Sequence, residues 1–156
     1  MKNKEPDVPD IHELSRAYIA GLFDGEGSLH IKRAVEKKKK HKDKPGYRTS
    51  NSMRINMEIT MTDESVLNWV HKTLGVGTLK PKKVNGKRVD GTPYLKQWRW
   101  RCTFRDAYYV CLLLWPFAQT KLPKIQQVIE HYSSWRKENV VNLTEYRAIR
   151  EMKNGL

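Results

Sequence analysis

Ten consecutive residues, Ser52 to Met61, alternate without a break between two chemistries. Met53, Ile55, Met57, Ile59 and Met61 hold one parity, and Arg54, Asn56, Glu58 and Thr60 hold the other. A period of 3.6 would scatter these apolar groups around a helix, whereas an extended chain puts them all on one side. Such a strand belongs to an antiparallel sheet with one face buried and the other wet.

The rest of the chain supplies the partners for that sheet. Leu29, Ile31 and Val35 alternate with His30, Lys32 and Ala34, which predicts a strand over 28–35. A third strand is expected over 77–84 and a fourth over 94–104, joined by a loop with Asn85-Gly86 and Asp90-Gly91 turn signals. In the fourth, Trp98, Trp100, Cys102 and Phe104 alternate with Gln97, Arg99, Arg101 and Thr103. Core packing is the preferred reading for Trp98 and Trp100, with stacking on bases as the alternative.

Helices fill the intervals. Asp10, three residues before Glu13, is placed to cap a helix running to Phe23 or Asp24 and stopping in Gly25 and Gly27. Thr62 or Asp63 starts a second, closed by Gly75. A third covers 106–115 before Pro116, a fourth runs from Thr120 to about Lys137, and a last one over 144–153 follows Asn142. The expected division is a flexible arm over 1–9, one α+β domain over 10–138 with helices on one face of its sheet, and a helical tail over 139–156. Residues 36–51 read as a basic loop, mobile alone and ordered by phosphates.

Composition narrows the partner. Lys plus Arg total 30 against 17 for Asp plus Glu, a net charge of +13. So large an excess opposes compaction unless the chain meets a polyanion, and nucleic acid is the first such partner. No apolar run approaches the roughly 20 residues of a spanning helix, so a membrane partner is not expected. Cys102 and Cys111 are too few for a zinc knuckle and read as buried reduced thiols. The N-terminal residues MKNKEPDVPD carry no signal-peptide pattern, so an intracellular site of action, in the compartment of synthesis, is expected. The wet parity of the strands offers the contacts DNA requires. Ser28, His30, Lys32, Arg54, Asn56, Glu58, Lys80, Lys82, Gln97, Arg99 and Arg101 are the candidate DNA-binding residues, with Thr60 and Thr78 beside them.

Residues 19–27 read I-A-G-L-F-D-G-E-G. Ala17, Gly21 and Gly25 recur every four residues and line one helix face. A stripe of small residues lets a second helix approach closely, and an identical copy satisfies it by twofold symmetry. Glu26 stands at a helix C-terminus, where the unpaired carbonyls disfavour a carboxylate. Pairing two such acids costs more still, and a divalent cation reverses both penalties.

The segment resembles the signature of the LAGLIDADG homing endonucleases, as do Ser28-Leu29, the Gly75-Val76-Gly77 turn, and Leu114-Trp115-Pro116-Phe117 followed by Lys121. The resemblance covers about residues 11–132. It implies an αββαββα fold whose antiparallel sheet forms a saddle over double-stranded DNA. One motif per chain implies a homodimer meeting through Ala17, Ala20, Gly21, Asp24 and Gly25. It implies Mg²⁺ or Mn²⁺ held by Glu26 and Gly25, with Glu26 and Lys121 as catalytic residues and Asp24 as structural support. The expected reaction is double-strand cleavage of a long, near-palindromic site. Maturation of intron RNA and non-cleaving DNA regulation are the alternatives the same resemblance allows. Where the family carries a water-positioning Gln this chain has Met61, and Asp63 or Ser65 fills the later Arg position. Thr60, Thr62 and Arg101 are candidates to replace them.

Overall fold

The computed structural model describes residues 11–40 and 42–134. Its elements run α1 (Glu13–Glu26), β1 (Gly27–Lys39), β2 (Tyr47–Met61), α2 (Glu64–Leu74), β3 (Thr78–Lys82), β4 (Gln97–Thr103), α3 (Phe104–Leu114) and α4 (Leu122–Ser134). The expected arm, the Asp10 cap, the end of the fourth helix and the tail lie outside the described residues.

The four strands form one antiparallel sheet in the order β1-β2-β4-β3. Pro81 sits in β3, an edge strand, where its missing N–H costs no ladder bond. All four helices pack on the apolar side. Leu29, Ile55, Met57, Ile59, Trp100 and Cys102 from the sheet meet Ile19, Phe23, Leu67, Val70, Leu113, Trp115, Ile125 and Val128 from the helical layer, all buried. Trp100 is fully enclosed and its indole N–H donates to Val76 O at 3.0 Å. Trp98 shares its parity and is partly buried against the same core, so no bulge turns it outward. Among the described residues, no helix is long and apolar enough to cross a membrane.

Several boundaries differ from expectation: β3 is shorter, at Thr78–Lys82, β4 starts at Gln97 rather than Tyr94, and three further differences have a clear physical reason. The segment 36–51 is largely strand: β1 runs to Lys39 and β2 starts at Tyr47, paired from Glu36↔Ser50 to Lys39↔Tyr47. A ladder needs only backbone donors and acceptors, so a lysine run without apolar alternation still pairs once the hairpin is set. The first helix continues past Asp24 to Glu26, and His12 caps it, its Nδ1 accepting from Leu14 N–H at 3.2 Å. The fourth strand ends at Thr103, and Phe104 (φ 51) opens α3. A left-handed residue turns the chain sharply from sheet to helical layer, at a strain of about 1–3 kcal/mol. The second helix matches expectation: Asp63 caps α2 by accepting from Val66 N–H at 3.2 Å, and Gly75 closes it at φ 69.

Candidate nucleic-acid interface and cleavage site

Helix α1 passes into β1 with no linker. Gly27 N–H donates to Phe23 O, and Gly27 itself is already extended (φ −85, ψ 159). A Cβ at Gly27 would stand 2.6 Å from that same carbonyl and would overlap the Phe23 ring, so only glycine permits this close passage. Glu26 is therefore the last helical residue, exposed, beside carbonyls of the final turn that have no helical donor ahead of them.

Asp24, one turn face away, is engaged. Its carboxylate accepts from Gln119 N–H at 2.7 Å and from Lys121 N–H at 2.9 Å. The turn before α4 is thus fastened to the end of α1, and the Lys121 backbone is held two residues from Glu26. Both oxygens of the Asp24 carboxylate are committed to the subunit's own backbone. Lys121 is half-buried.

The outer face of α1 is bare. Gly21 and Gly25 are exposed, and a Cβ added at either would meet nothing within 4 Å. Leu14 and Tyr18 extend the stripe and are 73% and 54% exposed. Tyr18 makes an edge contact with Trp69 of α2, ring centroids 5.4 Å apart, and Leu14, Tyr18, Val66 and Trp69 line an apolar groove of about 470 Å³. Ala17 is half-buried on this side. Ala20, expected at a dimer interface, is instead wholly enclosed in the subunit's own core. It lies one residue before Gly21, turned to the inner side of the helix, and a buried methyl cannot touch a second chain.

On the sheet face away from the helices, cross-strand pairing gathers every candidate DNA contact. Ser28 opposes Glu58, Glu58 opposes Arg101, and Arg101 opposes Thr78. On one side of that row stand Thr60, Arg99 and Lys80, then Gln97 and Lys82. On the other stand His30, Asn56 and Thr103, then Lys32 and Arg54. One bond orders this surface: Arg101 Nε donates to Asn56 Oδ1 at 2.6 Å. The same parity continues along the β1–β2 hairpin through Ala34↔Ser52, Glu36↔Ser50 and Lys38↔Arg48. Lys38 and Arg48 thus join the sheet face although the basic composition of 36–51 suggests a loop; the alternation of β2, carried backward from Ser52, leads to them.

The candidates for the water-positioning shell separate. Met61 lies on the core parity, packed against the apolar cluster. Asp63 and Ser65 are bonded to each other at 2.6 Å at the start of α2, and that hydroxyl, then the Val66 N–H, holds the Asp63 carboxyl below its ordinary pKa. Thr60 is on the wet face and Thr62 is exposed beyond the strand. Arg101 is turned toward Asn56.

Among the described residues, no three His, Cys, Asp or Glu side chains cluster to hold a metal ion. What α1 presents is an exposed carboxylate at Glu26 and the neighbouring backbone of Gly25, an all-oxygen pair. Such ligands suit a hard cation, which takes few carboxylates and completes its shell with phosphate and water. One subunit supplies only a fraction of that shell.

Residues 19–92 match the family model described as LAGLIDADG endonuclease. No curated protein matches the sequence significantly. Among solved structures, the homing endonuclease I-CvuI in complex with its target in the presence of calcium is similar at 17% identity and a TM-score of 0.53, over 90% of this chain and 80% of that one. I-CvuI with the I-CreI target and magnesium, DNA not cleaved, gives 19% and 0.54, over 92% and 82%. The I-SmaMI LAGLIDADG homing endonuclease bound to cleaved DNA gives 19% and 0.50, over 86% of this chain but 42% of that longer one. These likenesses establish a shared fold.

Proposed function

We propose that this chain, which matches the LAGLIDADG endonuclease family model over residues 19–92, is a site-specific homing endonuclease of that family that pairs with a second copy and breaks both strands of a long, near-palindromic DNA site. The observation that carries this reading is a placement. An exposed acid ends a bare small-residue helix face at the margin of a cation-rich sheet face. The solved I-CvuI structures, each with a DNA target, support the same reading.

Each part has a role in phosphodiester hydrolysis. The stripe Ala17, Gly21 and Gly25 brings the α1 helices of two subunits close, so that two Glu26 carboxylates meet on the twofold axis. Glu26 and the Gly25 carbonyl would hold the divalent ion, Mg²⁺ or Mn²⁺, with the partner subunit's pair and DNA phosphate completing its shell. The chemistry supplied by such an ion is Lewis-acid activation of water and of the phosphate oxygens. Lys121, fixed through its backbone by Asp24, brings positive charge to the phosphate as its negative charge grows. Arg54, Asn56, Arg99, Arg101 and Gln97 meet base edges in the major groove, while Lys32, Lys80 and Lys82 meet phosphates. His30, Glu58 and Ser28 complete the face.

The test is cleavage of a duplex selected for binding, with Mg²⁺, by the wild type and by Glu26→Gln. The wild type cuts both strands; the variant binds with unchanged affinity and does not cut. Cutting that survives the substitution removes Glu26 from the mechanism, and a wild type that binds no duplex removes the function.

A further inference from the structure

The hairpin β1–β2 reaches well past the sheet. The last residue of β4 to pair with β2 is Thr103, opposite Asn56, and beyond that row only β1 and β2 remain. One row of the DNA-facing parity, Lys32 opposite Arg54, lies just past that point, and the side chains change character after it. Up to and including that row stand His30, Lys32, Arg54, Asn56, Glu58, Gln97, Arg99 and Arg101, with Lys80 and Lys82 on the edge strand. Outside, the first row is Ala34 opposite Ser52. Ala34 has no polar side-chain atom, and the Ser52 hydroxyl donates to the Ala34 carbonyl at 3.5 Å. The next positions are Glu36 and Lys38, whose charges lie 3.7 Å apart, with Ser50 and Arg48 across from them. Around these, Lys37, Lys39, Lys40, Lys42 and Lys44 are all exposed.

These two compositions suit different ligands. Bidentate contacts with base edges are made by Arg, Asn and Gln, whose donors and acceptors are fixed in a plane. An ammonium on a flexible stem is a point charge, which meets phosphate without fixing register. From Ala34 to the tip is about 20 Å at ~3.4 Å per residue. That is about six base pairs of duplex at ~3.4 Å each.

We infer that each half-site is recognised by two chemistries: the sheet up to the Lys32–Arg54 row reads base edges, and the lysine-rich ribbon beyond that row grips about six outer base pairs by their phosphates without reading them. This rests on the nuclease reading above and divides its substrate into a specified inner segment and an unspecified outer one. The specified sequence is therefore shorter than the covered sequence.

The test pairs selection with footprinting. Full-length protein is used to enrich a randomised duplex library, and a selected duplex is then footprinted with hydroxyl radical. The footprint should extend about six base pairs per side beyond the positions with base preference. Substituting an inner pair should weaken binding about 5- to 150-fold, and substituting an outer pair less than about 3-fold. The triple variant Lys40→Gln, Lys42→Gln, Lys44→Gln should bind every sequence more weakly by one common factor. Its log-log salt slope should fall by about 0.9 for each phosphate contact removed. Base preference running to the footprint's edge, or a triple variant with unaltered affinity and slope, overturns the inference while leaving the nuclease reading intact. A library that enriches no sequence overturns both.

Discussion

Two backbone N–H groups, of Gln119 and Lys121, converge on the Asp24 carboxylate. Charge-assisted bonds of this kind contribute about 1.5–3 kcal/mol each when enclosed, and less at a half-exposed site. Asp24→Ala should therefore lower stability in urea by roughly 1–3 kcal/mol and slow cleavage by releasing the turn that carries Lys121. Asp24→Asn, which keeps one acceptor oxygen, should lie between. An alanine variant with wild-type unfolding and wild-type rate would show that the turn needs no such fastening. A second residue-scale consequence concerns alkali. The Cys102 thiol is pushed up to about 12, by burial first and by the Asp106 charge second. Burial, then Cys102, also raises Cys111. In the unfolded chain both thiols ionise near the ordinary value of 9.0. The folded state thus keeps protons that the unfolded state loses, and stability falls as pH rises through about 9 toward 12. The slope should approach about 1.4 kcal/mol per pH unit for each thiol, read from denaturation midpoints between pH 8 and 11. Replacing both cysteines by Ala should flatten the curve. The motif residues were readable in the sequence because their spacing is local. The Asp24 bonds were not, since they join positions 95 and 97 residues apart and the acceptor's partners are backbone groups, identical at every residue.

At the scale of elements, Gly21 within α1 and Gly27 at the start of β1 look alike in sequence and behave in opposite ways. Gly27 faces inward against Phe23, whereas Gly21 faces open space. Gly27→Ala should destabilise the subunit by about 1–3 kcal/mol through overpacking, visible as a lowered Tm. Gly21→Trp should leave the fold of the single subunit intact, because nothing within the chain is in its way, but should block the proposed pairing of two chains. Sedimentation at micromolar protein distinguishes the cases: a variant that still sediments as two chains would rule out α1 against α1 as the contact. The second helix was legible from its Asp63 cap and Gly75 stop, and α3 and α4 start within two residues of expectation. The errors fall where local chemistry is shared by two elements. Phe104 fits the strand alternation and yet begins α3, since one left-handed residue suffices to end a strand. Residues 36–39 and 47–51 carry no apolar parity, so only the register imposed by Ile31↔Ile55 and its neighbours brings them into the sheet. Ala20 sits within the motif and still faces the core, because the small-residue stripe occupies only one side of the helix.

For the molecule as a whole, the strict period of two mattered most, since a slip of one residue would turn every Met and Ile of β2 outward and every Arg and Asn inward. Burial of Ile55, Met57 and Ile59 fixes the opposite parity as the wet face, and strand pairing then carries that face across the sheet. What a single chain does not contain is a complete site. Each subunit offers one acid at the end of α1, and no three potential ligands cluster among its described residues. Leu14, Tyr18 and Trp69 also stay exposed beside the bare glycines, an apolar surface that a second copy would cover. If the site is built from two equivalent halves, inactive subunits must poison active ones in a definite proportion. Wild type and Glu26→Gln, mixed in equal amounts and allowed to exchange partners, form all-wild-type pairs in about one quarter of the population. Double-strand cleavage at fixed total protein should therefore fall to about one quarter of the unmixed rate if both acids are needed, with nicked intermediates marking mixed pairs that retain one competent strand. Independent subunits would instead leave about one half, since each wild-type chain would act without regard to its neighbour. The half-value, with no nicked product, would mean that Glu26 works within a single chain, and the shared centre proposed for this protein would have to be abandoned.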